Sequence, residues 1–203
     1  MVFAFASALY SWTHPQVVMP LMWPLLIGGL ALALISIFKK TASPFLSPLY
    51  AVAEGLLMGV ISLSFEKQYP GIVVNAVFLT AAVLFCMLAA YKSGLLRATP
   101  LFTKVVVLST LAIAAVYILD IAVNVFAGAN VPYLHDTSLL GVGISLVITA
   151  VAALNLILDF NLIERGAYEG APKYMEWYCS FALMVTLVWL YLEILRLLAK
   201  IRN

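Results

Sequence analysis

From Tyr69 to Tyr91 the chain carries no charged side chain, and six further apolar blocks fill most of the remaining sequence. Blocks of this kind are solvated by hydrocarbon, where every backbone N–H and C=O has to be satisfied inside the segment itself. Of the 203 residues, 65% are hydrophobic and 10% charged, whereas soluble domains have roughly 45–50% and 25%. At about 20 residues per crossing, the length allows roughly seven crossings and no separate catalytic or nucleotide-binding domain. A net charge of +2 supplies no basic surface for nucleic acid, so no nucleic-acid partner is expected. Cys86 and Cys179 sit inside apolar runs, where a thiol packs as a small hydrophobe, and imply neither a disulfide framework nor a thiolate metal site.

Charges and turn formers set the block limits. The first block, Val2 to Trp12, ends at Thr13-His14-Pro15 and is too short to cross ~30 Å of hydrocarbon, so a short or truncated first helix is expected. It is a poor secretory signal, because no Lys or Arg precedes it and no polar cleavage region follows. The others run from about Val17 to Phe38, Pro44 to Phe65, Tyr69 to Tyr91, Thr103 to Ala127, Ser138 to Ile163 and Tyr174 to Ile201. Gly128, Asn130 and Pro132 close the fifth. None shows the ten-residue alternation of a membrane barrel. The expectation is an all-α, polytopic bundle of seven helices forming a single integral membrane domain over residues 1–203.

With alternating crossings, one side of the membrane receives Lys39, Lys40, Lys92, Arg97, Lys104, Arg165 and Lys173. The other receives Lys67, Arg196, Lys200 and Arg202. The excess places the first group in the cytoplasm and the carboxyl terminus outside, unless the last block re-enters rather than crosses.

An ionisable group at membrane depth costs several kcal/mol unless paired or hydrated, and is a functional candidate by default. Glu54, Asp120, Asp159 and Glu193 qualify. Asp120 reads as a packing residue with Asn124 one turn away. Glu54 precedes Gly55 and Gly59, a small-xxx-small pair that admits a close helix neighbour, and nothing in its own helix is expected to neutralise it. On the last block Cys179, Ala182, Thr186, Trp189, Glu193, Arg196 and Lys200 share one helical face, and on the block before it Gly141, Ser145, Ala152, Asn155 and Asp159 do. Two such small-to-polar faces pack together, which suggests that Asp159 and Glu193 meet or share a partner. Glu193 pairing only with Arg196, one turn on, is the plainer alternative. Equal distance from the Gly166–Pro172 turn would offset the two acids by roughly two helical turns.

The runs Ser47-Pro48-Leu49-Tyr50-Ala51 and Glu54-Gly55-Leu56-Leu57-Met58-Gly59, then Asn155-Leu156-Ile157-Leu158-Asp159-Phe160, resemble the Bax inhibitor-1 superfamily, especially its bacterial YccA-like branch. Gly170-Ala171-Pro172-Lys173-Tyr174-Met175-Glu176-Trp177-Tyr178 and Thr186-Leu187-Val188-Trp189-Leu190-Tyr191-Leu192-Glu193-Ile194-Leu195-Arg196 extend the likeness, which runs from about Lys39 onward. The resemblance implies seven helices with the last one central, the bacterial cytoplasmic membrane, and a pH-sensitive calcium or cation leak. It also implies a pH-sensing acid pair on helices six and seven, matched by Asp159 and Glu193, with a basic residue near the cytoplasmic end of helix two, matched by Lys39 or Lys40. Glu54 and Arg196 are the assisting residues. Departures are Glu193 where some relatives have Asp, Lys in place of Arg, the long connection between the acids and the short first helix.

Two carboxylates in low dielectric titrate as a unit. Their oxygens suit a hard cation such as calcium, but a full site needs six to eight oxygens. Transient cation binding at Asp159 and Glu193 is therefore expected, with no firm metal site and no cofactor beyond weak calcium. A non-conducting regulator that binds a membrane protease or a stress or cell-death component is the alternative, and would need an exposed docking surface. An enzyme is not expected: no His-Glu-x-x-His run occurs, and His14 and His135 lie in connections.

Overall fold

The computed structural model describes residues 1–127 and 138–202. Gly128, Asn130, Pro132 and His135 lie outside the described residues. All seven blocks are helical: α1 (Val2–Thr13), α2 (Pro15–Phe38), α3 (Ser43–Gln68), α4 (Ile72–Lys92), α5 (Pro100–Ala127), α6 (Leu139–Tyr168) and α7 (Tyr174–Arg202). Six of them, α2 to α7, are long and apolar enough to cross a membrane. The last block is one uninterrupted helix of 29 residues, about 43 Å at 1.5 Å per residue, which is long enough to cross a membrane.

Several ends fall outside the apolar blocks, for identifiable reasons. Residues Met19–Leu21 of α2 wind as a 3-10 turn, because Pro20 and Pro24 have no N–H to give to the preceding turn. Helix α5 starts at Pro100, with Thr99 Oγ1 accepting the Phe102 N–H at 3.3 Å. A hydroxyl cap followed by proline is a helix start, not a break. Helix α6 runs through Glu164 and Arg165 to Tyr168, since charge limits the segment in oil without ending the helix, and Gly170 closes it at φ 62°.

Contacts group into two compact units. The first holds Met1–Val73 and Leu162–Val188, the second Val74–Asn161 and Trp189–Asn203. Their boundaries fall within α4, α6 and α7 rather than at linkers.

In the first unit α1 lies tightly along α3. A Cβ on Gly55 would collide with Ser7 Oγ and the Ala4 carbonyl, and one on Gly59 with Ser11 Oγ and the Ala8 carbonyl. Glycines four apart thus expose a strip of α3 backbone to a strip of Ala and Ser four apart on α1, the close approach available where helix association depends on packing. The α3–α4 turn is fixed by Glu66, whose carboxylate accepts the Gly71 N–H at 2.6 Å and the Val73 N–H at 3.1 Å. It thereby satisfies amide donors at the start of α4.

In the second unit Asn155 Nδ2 of α6 donates to Thr110 Oγ1 of α5 at 2.8 Å. Lys200 Nζ of α7 donates to Ser145 Oγ at 2.7 Å and to the Gly141 carbonyl at 3.0 Å, both on α6. These bonds set the registers of three helices.

Candidate functional site: a carboxylate held at membrane depth

Glu193 is 1% exposed, the most deeply buried ionisable side chain among the described residues of the second unit. Its Oε1 accepts three hydrogen bonds: from the Tyr117 hydroxyl at 2.8 Å, from Trp189 Nε1 at 3.1 Å and from Arg196 Nη1 at 3.1 Å. Trp189 and Arg196 stand one turn before and nearly one turn after it on α7, so helical spacing alone aims both at the carboxylate. Tyr117 comes from α5. It also accepts from Arg196 Nη1 at 3.0 Å, and the guanidinium carbon sits 5.2 Å from its ring centroid. Arg196 reaches out from this cluster with 45% of its side chain exposed, an arrangement in which a long arm leaves its charged head near the interface. The arrangement satisfies a carboxylate that would otherwise be untenable in hydrocarbon.

Helix registers locate the other acids. From the Lys200 contacts with Gly141 and Ser145, counting along antiparallel α6 and α7 brings Glu193 level with about Ala150. The Asn155–Thr110 bond brings Tyr117, and so Glu193, level with about Ile148. Asp159 is then roughly ten residues further along, about 15 Å at 1.5 Å per residue. Asp159 is half-buried and engaged in its own interactions. Of the residues singled out in the sequence, Glu193 and Arg196 are in contact. The Arg196 pairing is present, extended by Trp189 one turn earlier on the same face and by Tyr117 of α5, which helical spacing on one segment does not reveal.

Asp120 is buried, at 8% exposure, and also takes part in interactions. It follows Tyr117 by three residues, on the same face of α5, and the α5–α6 register sets it level with about Ser145, the residue that receives Lys200. It therefore lies toward the Ser145–Lys200 end of this unit. Tyr117, Asp120 and Asn124, at steps of three and four, were the available signal.

In the first unit Glu54 is half-buried. The expectation that its own helix offers it nothing is corrected: the Tyr50 hydroxyl, one turn earlier, interacts with its carboxylate. Gly29 of α2 faces it, since a Cβ there would stand 3.7 Å from Glu54 Oε2. Lys39 and Lys40 are exposed at the end of α2, and Lys40 Nζ lies 5.0 Å from the Tyr178 ring centroid. A cavity of about 460 Å³ at the α6–α7 turn is lined by Gly166, Gly170, Pro172, Glu176, Cys179 and Ser180, among others. Among the described residues no group of three or more His, Cys, Asp or Glu side chains could hold a metal ion.

Six helices long and apolar enough to cross a membrane define an integral, polytopic α-helical membrane protein. The chain belongs to the Bax inhibitor 1 like family, which it matches over residues 1–203. No curated protein and no solved structure matches it.

Proposed function

We propose that the chain is a non-enzymatic cation leak of the bacterial cytoplasmic membrane, passing calcium, with Glu193 as its pH-responsive element. The observation that supports this most is the 1% exposed Glu193 carboxylate tied to Tyr117, Trp189 and Arg196. A carboxylate kept at depth among donors from two helices couples its charge to the packing of those helices. Protonation removes the charge that Arg196 pairs with, so an arrangement built on that pair binds fewer protons than one in which it is broken. Acid therefore favours the broken arrangement. In this reading Asp159 is a second carboxylate that a cation meets in succession, because groups about 15 Å apart do not share one proton.

The test is calcium entry into liposomes holding the purified protein, followed by an enclosed dye. The wild type is expected to leak above protein-free liposomes, and more so as pH falls. Glu193→Gln, which keeps shape and loses the titrating group, is expected to leak with a flattened pH profile. Absence of flux would overturn the leak in favour of a regulator that acts by binding a membrane protein. A pH profile unchanged in Glu193→Gln would remove Glu193 from the sensing role.

A further inference from the structure

The Lys200 ammonium ends among oxygens of α6. Its Nζ donates to Ser145 Oγ at 2.7 Å and to the Gly141 carbonyl at 3.0 Å. Gly141 and Ser145 are both buried, Ser145 at 4% exposure. An ammonium has three N–H donors, and two independent registers bring Asp120 to the third. Counted from the Asn155–Thr110 bond, Asp120 is level with Ser145. Tyr117 meets both Glu193 and Arg196, so Asp120, three residues on, is level with about Leu198 of α7. Helical side chains lean toward the amino terminus, which puts the head of Lys200 at that same level. Asp120 is 8% exposed, and it and Lys200 both take part in further interactions. All of these residues belong to the second unit.

A backbone carbonyl, a hydroxyl and a carboxylate are hard oxygen ligands, and carbonyl oxygens replace the water shell of potassium in selectivity filters. One carboxylate balances one positive charge, whereas calcium takes six to eight oxygens at about 2.3–2.6 Å. The Nζ contacts of 2.7 and 3.0 Å are too long for calcium and suit a larger ion of single charge. Room for that ion is the volume the ammonium itself fills. Lys200 stands half-buried in the last turn of α7, where a flexible stem can carry its head out to the interface. Asp120 is then a buried carboxylate without a counter-charge, which is costly enough to draw in a replacement cation.

We infer that Asp120, Ser145 Oγ and the Gly141 carbonyl form a binding site for a monovalent alkali cation of potassium size, in which the Lys200 ammonium is a tethered occupant that the free cation displaces. No covalent bond changes. The inference does not rest on the calcium leak or on Glu193, whose carboxylate has three donors of its own. A permanent ion pair is the competing account. It responds to ionic strength, but not to which cation supplies it.

The test compares potassium chloride with N-methylglucamine chloride at equal ionic strength, on the purified full chain in detergent. In the wild type, Lys200 is acylated with a water-soluble amine reagent, and its modification is measured by mass spectrometry against that of exposed Lys39. Potassium is expected to raise Lys200 modification about threefold or more by shifting its head out of the site. In Asp120→Asn the modification is expected to be the same in both salts. Lys200→Ala removes the tethered occupant, and potassium at about ten times half-saturation is expected to raise its Tm by about 3–6 °C. Adding Asp120→Asn to Lys200→Ala is expected to abolish that rise. Should Lys200→Ala fail to fold, the wild-type modification decides alone. Equal modification of wild-type Lys200 in the two salts, a folded Lys200→Ala that melts alike in both, or a potassium response that survives Asp120→Asn would each overturn the inference.

Discussion

Removing the Glu193 side chain tests how much the buried carboxylate contributes to the fold. In Glu193→Ala three donors lose their acceptor. Arg196, with 45% of its side chain exposed, rehydrates, and the Tyr117 hydroxyl keeps its 3.0 Å contact with Arg196. The Trp189 indole N–H keeps nothing, and a buried donor left unsatisfied costs about 1–3 kcal/mol. The low average for interhelical hydrogen bonds in membranes, about 0.6 kcal/mol each, would still give about 2 kcal/mol for three. The void left by a fully buried side chain adds to this, so about 2–4 kcal/mol is expected. Breaking a wholly buried ion pair costs about 3–5 kcal/mol, and the exposure of Arg196 lowers that figure. For a chain of this size the change is a fall of about 5–12 °C in Tm. Glu193→Gln keeps an oxygen acceptor and loses only the charge assistance, about half of the effect. Thermal unfolding in detergent, read by tryptophan emission with Trp189 as a local reporter, gives the order wild type, Gln, Ala. An Ala variant melting within about 1 °C of the wild type would refute the reasoning, because the three bonds would then contribute nothing.

Gly55→Val drives a side chain into Ser7 and the Ala4 carbonyl and is expected to cost about 2 kcal/mol or more by overpacking, with α1 released to protease. Gly28→Ala, with open space around it, should leave digestion unchanged. Glu66→Ala frees the Gly71 and Val73 amides and is expected to lower stability by about 1–2 kcal/mol in a thermal melt, with Glu66→Gln in between. Thr110→Val and Asn155→Leu remove the same α5–α6 bond. A double-mutant cycle on the two should show coupling of about 0.6–1.7 kcal/mol, and additive losses would mean that the bond is not made in the membrane.

The apolar blocks mapped almost directly onto helices, because in hydrocarbon a long apolar segment has no alternative way to satisfy its backbone. What the blocks misplaced was ends. The apolar pattern of α5 begins at about Thr103, whereas Thr99 and Pro100 start the helix, and that of α6 stops at Ile163, whereas the helix runs on to Tyr168. The polar faces of α6 and α7 were legible at single-helix resolution, including Ser145 and Lys200, which the structure joins. Tyr117 was not, because its role depends on the register between α5 and α7, and one segment's periodicity contains no information on that. Tyr50, one turn ahead of Glu54, is a partner that helical spacing on α3 does reveal.

Burial is divided unequally among the crossing helices. The most apolar stretch of α3, α6 and α7 is 44%, 44% and 39% buried, whereas that of α2, α4 and α5 is 11% buried in each case. The runs by which the family is recognisable lie on α3, α6, α7 and the α6–α7 connection. The two facts have one cause. A lipid-facing position asks only for oil solubility, and Leu, Val, Ile and Phe answer equally well, so such a helix can be rewritten almost freely and still be inserted. A position pressed against another backbone or carboxylate accepts a glycine, a serine or one particular acid and little else. The ancestry of this chain is therefore written on the three helices that the bilayer touches least, and the other three record mainly the thickness and fluidity of the membrane around them.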